Sequence, residues 1–84
     1  MTSRKKLVAA IRNNPKDVRF VDACKVAEWL GFVWKGGKGS HRAFSRPGEA
    51  IGLNFQDRNG KVPPYQARQL IAMIDKYGGE DDGD

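Results

Sequence analysis

Apolar residues along this chain recur first at helical spacing, then at alternate positions, then at helical spacing again. Leu7, Val8 and Ile11 share one side of a predicted first helix that runs to about Asn13, with Thr2 or Ser3 as its cap. Asn13-Asn14-Pro15 stops it, because proline cannot continue a helix and disfavours helical geometry just before it. A second helix is predicted from about Phe20 to Leu30. Ala23, Val26, Ala27 and Leu30 recur at i, i+3, i+4 and i+7, and Gly31 is the expected C-terminal stop.

Beyond Gly31 the period shortens to two. Phe32-Val33-Trp34-Lys35 reads as a strand, Gly36 to Gly39 as a loop, and Ser40 to Arg46 as a second strand turned by Pro47-Gly48-Glu49. Ala50 to Gln56 reads as a third, with Ile51, Leu53 and Phe55 on one face and Gly52, Asn54 and Gln56 on the other. Arg58-Asn59-Gly60-Lys61 is a polar loop. Pro63-Pro64 then opens a last helix to about Tyr77, striped by Ala67, Leu70, Ile71, Ile74 and Tyr77 and ended by Gly78-Gly79. The expected fold class is α+β, in the order α-α-β-β-β-α, with a three-stranded antiparallel sheet covered on one face by helices.

Eighty-four residues suffice for one domain, here 1–79, followed by an acidic tail over 80–84 that is expected to be disordered. The apolar run Leu7–Ile11 is interrupted by Arg12, too short for an export signal or a membrane span. Cys24 is the single cysteine and makes no internal disulfide, which fits a reducing, cytoplasmic compartment. The net charge of +5 understates the basicity of the domain, because Glu80, Asp81, Asp82 and Asp84 all fall in the tail. Residues 1–79 alone carry 15 basic and 6 acidic side chains, a balance of +9. Such an excess attracts polyanions, of which nucleic acid is the commonest.

The candidate chemistry lies in Lys38-Gly39-Ser40-His41-Arg42, which holds the only histidine. Histidine exchanges protons near neutral pH, its unperturbed pKa being roughly 6.5. If Phe44 points to the helices, Ser40, Arg42 and Arg46 nominally share its side, and His41, Ala43 and Ser45 face the open side with Asn54 and Lys35. A surface histidine on a strand is the bland alternative. The uniqueness of His41, and its place directly after a glycine-lysine loop with room for a phosphate, raise a chemical role without displacing that alternative. One histidine, one cysteine and scattered carboxylates form no cluster with metal-ligand spacing, so neither a metal nor another cofactor is expected. Cys24 reads as a small core residue. Trp29 and Trp34 are able to stack bases, but packing is the expected role of Trp34.

Six segments strengthen the chemical reading. Lys6-Leu7, Asn13-Asn14-Pro15, Val18-Arg19-Phe20, Leu30-Gly31-Phe32, Lys38-Gly39-Ser40-His41-Arg42 with Phe44, and Asn59 through Gln69 fall in an order and spacing that resembles the HicA (YcfA-like) toxin family. These are small messenger-RNA interferases of bacterial type II toxin–antitoxin systems. The resemblance covers roughly residues 4–77, and Gly-Phe followed after a short strand by Gly-Ser-His is its most specific piece. It implies a double-stranded-RNA-binding-domain-like fold whose sheet carries a catalytic histidine, matched by His41, and a HicB-type antitoxin as partner. The first helix and the long Asn54-to-Pro64 stretch mark a longer subtype, since the shortest members begin at the equivalent of about Val18. The acidic tail has no counterpart.

The expected mechanism is metal-independent. His41 takes the proton of an RNA 2′-hydroxyl, or supplies one to the leaving oxygen. Lys38 and Arg42 hold the phosphate, with Gly39, Ser40 and Lys35 adding contacts. With no second imidazole, the other proton falls to water or a lysine, and slow turnover is expected. The rival reading is a non-catalytic RNA-binding module of the same fold. A DNA-binding or adaptor role for the second helix is disfavoured, as Lys25 is the sole basic residue in its interior.

Overall fold

The computed structural model describes residues 4–78; the Thr2/Ser3 cap, Gly79 and the acidic tail over 80–84 lie outside the described residues. Three helices and a three-stranded antiparallel sheet make an α+β fold: α1 (Arg4–Asn13), α2 (Phe20–Trp29), β1 (Val33–Gly36), β2 (His41–Ser45), β3 (Leu53–Gln56) and α3 (Pro64–Tyr77). The sheet order is β1-β2-β3, so β2 is central and both neighbours are edges.

Local chemistry sets the end of α2 and the start of α3. At the end of α2 the Gly31 N–H donates to the Glu28 carbonyl and the Phe32 N–H to the Ala27 carbonyl, both at 3.0 Å. That pair is a Schellman closure, which requires Gly31 in the left-handed region, at φ +92°. At the start of α3, Pro63 is the N-cap and Pro64 the first helical residue, where a missing N–H costs nothing.

The helix-facing side of the sheet is built from Phe44, Leu53 and Phe55, all nearly inaccessible, with the Phe44 and Phe55 rings 5.8 Å apart. Ala23, Val26 and Ala27 of α2 and Ala67, Leu70 and Ile74 of α3 close over them. Burying each such phenylalanine or leucine is worth roughly 1.5–3 kcal/mol. The sheet is covered chiefly by α2 and α3. Helix α1 instead packs on these two from behind, sending Ile11 into the core and pairing Arg12 with Asp75 of α3. An amphipathic stripe reveals that one side is buried, not what buries it.

The third strand is shorter than its alternation suggests. Ile51, expected in line with Leu53 and Phe55, is 56% exposed and precedes β3. Its N–H goes to a Glu49 carboxylate oxygen (2.9 Å) instead of a strand partner. Arg58-Asn59-Gly60-Lys61, read as a polar loop, forms a tight hairpin: Arg58 and Lys61 pair, and Asn59 (φ 54°) and Gly60 (φ 88°) occupy its tip. Two consecutive left-handed residues are the type I′ signature of Asn-Gly. The hairpin ties the start of α2 to the sheet, with the Phe20 N–H on the Gly60 carbonyl at 2.8 Å and the Val62 N–H on Val18 at 2.9 Å.

The far end of the sheet is clamped by two charged side chains. Arg46 donates through Nε to the Leu30 carbonyl (2.8 Å) and lies 3.8 Å from the centre of the Tyr77 ring. Glu49, its side chain only 2% exposed, accepts from Lys76 Nζ (2.6 Å) and Tyr77 Oη (2.5 Å) as well as from Ile51. The Lys76 bond, then those from Tyr77 and Ile51, lower the Glu49 pKa from 4.5 to about 2. A carboxyl depressed on folding stabilises fully above its unfolded pKa and ceases to as pH falls through the folded one. Wild type is therefore expected to be more stable than Glu49→Gln near neutral pH, with the gap closing between about pH 4.5 and 2. Urea unfolding of both proteins across that range checks it; a gap independent of pH would contradict the clamp.

Candidate ribonucleolytic site

His41 begins β2 and its side chain is on the open face of the sheet. The register pairs His41 with Gln56, Ala43 with Asn54, and Phe44 with Leu53. Directly opposed residues share a face, so His41, Ala43 and Ser45 stand with Asn54, Gln56 and Val33, away from the helices. The imidazole is exposed.

The turn leading into it is built from backbone. The His41 N–H donates to the Lys38 carbonyl at 3.0 Å, closing a four-residue turn in which Gly39 has φ 57°. A single left-handed residue at the first central position is the type II′ pattern, which favours glycine. Gly37 is more constrained. It has φ 103°, and a Cβ there would lie 2.4 Å from the His41 carbonyl oxygen. Position 37 thus admits no side chain while the chain passes this close to His41.

The second strand pair supplies what sequence reasoning missed. Nε2 of His41 is 2.8 Å from the Gln56 side-chain nitrogen, and Arg58 Nη2 donates to the Gln56 side-chain oxygen at 3.1 Å. A guanidinium only donates, so the Gln56 oxygen faces Arg58 and its amide N–H points at the imidazole. In this arrangement Nε2 is the ring nitrogen turned toward an amide donor, the orientation in which it accepts. Gln56 is itself fixed from α3, where the Gln66 side-chain oxygen accepts the Gln56 backbone N–H at 2.8 Å. Gln66 is 4% exposed, and this bond accounts for a buried polar residue on an otherwise apolar helix face. Alternation along the third strand already set Gln56 beside Asn54 on the open face. Its contact with a residue 15 positions away depends on register, which no local pattern carries.

The remaining candidates divide between two places. Lys38, Gly39 and Ser40 form the turn directly before His41, and all three are exposed. The Ser40 carbonyl is occupied by the Asp57 N–H (2.7 Å). Lys35 is the extra residue of a bulge in β1, between Trp34 opposite Phe44 and Gly36 opposite Ala43, and it too is exposed. Arg42 is not brought to the imidazole. Strand alternation sends it to the helix side, where its guanidinium lies 5.4 Å from the centre of the Phe20 ring and 5.0 Å from that of Trp34. Arg58, through Gln56, is the guanidinium tied to His41.

Cys24 is buried on α2 against this same arginine. Burial pushes its thiol pKa up, while the Arg42 charge and hydrogen bond pull the other way. That is the environment of a core thiol rather than of an activated nucleophile. Trp34 is 52% exposed on edge strand β1, with the Arg42 guanidinium over its ring. Among the described residues, no three His, Cys, Asp or Glu side chains gather as metal ligands, and no helix is long and apolar enough to cross a membrane. A groove of about 410 Å³ among the three helices, floored by Val8, Val26, Leu30 and Ile74, contains none of the site residues.

The arrangement offers an accessible imidazole, a guanidinium and an amide aligned with it, and the exposed lysines Lys38 on the adjoining turn and Lys35 in the β1 bulge. Compared with known proteins, the chain matches no family model, no curated protein and no solved structure.

Proposed function

We propose that the protein is an endoribonuclease that cleaves messenger RNA without a metal ion. In this reading it is the HicA-type toxin of a type II toxin–antitoxin pair, acts in the cytoplasm, has a double-stranded-RNA-binding-domain-like fold and is silenced by a HicB-type antitoxin covering His41. The observation that carries the reading is the His41–Gln56–Arg58 chain on the open face, which holds the imidazole edge in line with an amide and a cation. The ordered sequence segments that resemble the toxin family supply the biological context.

The chemistry follows from RNA itself. The 2′-hydroxyl approaches Nε2 of His41 and displaces the Gln56 amide, which stays held by Arg58. The imidazole takes the hydroxyl proton as the 2′-oxygen attacks phosphorus. The bond from phosphorus to the 5′-oxygen breaks, and the departing oxygen takes a proton from water or a lysine of the turn. The products are a 2′,3′-cyclic phosphate and a 5′-hydroxyl. Arg58, Lys38 and Lys35 offset the charge gathering on the phosphate oxygens, where charge-assisted hydrogen bonds are strongest. Neutral groups would hold a phosphate far less well.

The rival is an RNA-binding module that uses the same basic surface without cutting. The two differ at the 2′-oxygen. In EDTA, the protein is expected to cleave a single-stranded oligoribonucleotide and to leave its 2′-O-methyl counterpart intact while binding both. Binding of both without cleavage of either would favour the rival.

A further inference from the structure

We propose that Trp34, with Arg42 beside it, is a stacking site for a nucleobase of single-stranded RNA, on the opposite side of the β1–β2 hairpin from His41. The inference rests on the ribonuclease reading and names the part of the substrate that this second face receives.

Three features make Trp34 a prepared platform rather than a stray surface residue. Its Nε1–H donates to the Gly36 carbonyl at 2.6 Å, which fixes the indole and satisfies its one polar atom within the chain. Arg42 places a guanidinium 5.0 Å from the ring centre, with Phe20 5.4 Å from the same guanidinium, so aromatic ring, cation and aromatic ring follow one another. Half of the Trp34 surface nevertheless stays open to solvent, at 52% exposure, whereas Phe20 is buried at 6%. A rigid indole with its N–H already bonded offers a planar apolar surface and no competing polar demand. Bases stack on such surfaces whatever their identity, and a neighbouring arginine adds cation–π attraction.

Position and charge select the occupant. Arg42 follows His41 directly, so the two faces are one residue, about 3.3 Å, apart along β2. A strand cleaved at His41 and led round the 37–40 turn meets Lys38, Lys35 and then Trp34. These lysines are exposed and suit the phosphates that accompany a base. An apolar partner protein would leave them unpaired. Arg42 thereby retains an RNA ligand, on the face to which alternation sends it.

The test uses the full chain with His41→Ala, so that RNA stays intact, and a single-stranded oligoribonucleotide of mixed sequence as probe. With Trp29→Phe added, Trp34 is the sole indole, and its fluorescence is expected to be quenched in proportion to RNA bound. Trp34→Ala is expected to weaken RNA binding by about 5- to 150-fold, the usual cost of one lost stacked base, and Trp34→Phe by only a few-fold. Normal RNA affinity in Trp34→Ala, with no quenching in the sole-indole protein, overturns the stacking site and leaves the ribonuclease reading standing. Equal losses in Trp34→Phe and Trp34→Ala also overturn it, because stacking would survive in the phenylalanine. Absence of RNA binding in every protein overturns both readings. Should Trp34→Ala fail to fold, the quenching and the Trp34→Phe affinity decide alone.

Discussion

Replacing His41 with alanine is expected to lower RNA cleavage by about 10²–10⁴-fold while leaving the fold and RNA affinity close to wild type. The rate falls because one group loses its proton-transfer role and no second histidine exists to take it over. The fold is expected to survive because the imidazole is exposed and, among the described residues, bonds to Gln56, which keeps Arg58 and Gln66 as partners. Affinity survives because the cations that attract phosphate, Lys35, Lys38 and Arg58, are untouched. Single-turnover cleavage, thermal unfolding and filter binding on the same protein separate the three effects. A folded mutant that cuts at the wild-type rate would remove His41 from the mechanism.

The second large effect concerns a position with no chemistry of its own. Gly37→Ala is expected to destabilise the protein and to abolish cleavage at temperatures where the mutant is still folded. Its φ of 103° alone costs a side chain on the order of 1–3 kcal/mol. The collision is worse than the torsion: the new carbon would meet the His41 carbonyl oxygen at 2.4 Å and the Arg42 Cα at 3.0 Å, both backbone and neither able to swing aside. Relief requires the start of β2 to move, and His41 moves with it. Gly39→Ala is the matched control, since φ is also positive there but a Cβ meets open space. It is expected to cost only about 1–2 kcal/mol, with cleavage largely retained. Denaturant unfolding and cleavage of the two variants check this; equal penalties would mean that the close approach at Gly37 is not what holds His41.

The parts of this architecture that are legible in the sequence are those decided by neighbours in the chain. Ala23, Val26, Ala27 and Leu30 with Gly31 define α2 and its end, because helical bonds and the Schellman closure span only a few residues. Alternation through His41, Arg42, Ala43 and Phe44 puts imidazole and arginine on opposite faces, which the expected place of Arg42 at the same phosphate did not heed. What is not legible depends on distant pairing. Ile51 leaves the strand because Glu49 takes its N–H. Trp34 is half-exposed with Arg42 over its ring, a contact that depends on how β1 pairs with β2. Gln56 and Arg58 become part of the site only when β3 pairs with β2 in this register, and Asn59-Gly60 makes the turn that returns Lys61 alongside Arg58.

In the proposed reaction, phosphorus passes from the 5′-oxygen to the neighbouring 2′-oxygen with the help of one imidazole. The most direct measurement is the chemistry of the new ends after a defined single-stranded RNA is incubated with purified protein in EDTA. A 2′,3′-cyclic phosphate on one fragment and a free 5′-hydroxyl on the other, both absent with His41→Ala, is the predicted result. Fragments carrying 5′-phosphates, or intact RNA that remains bound to the protein, would contradict it.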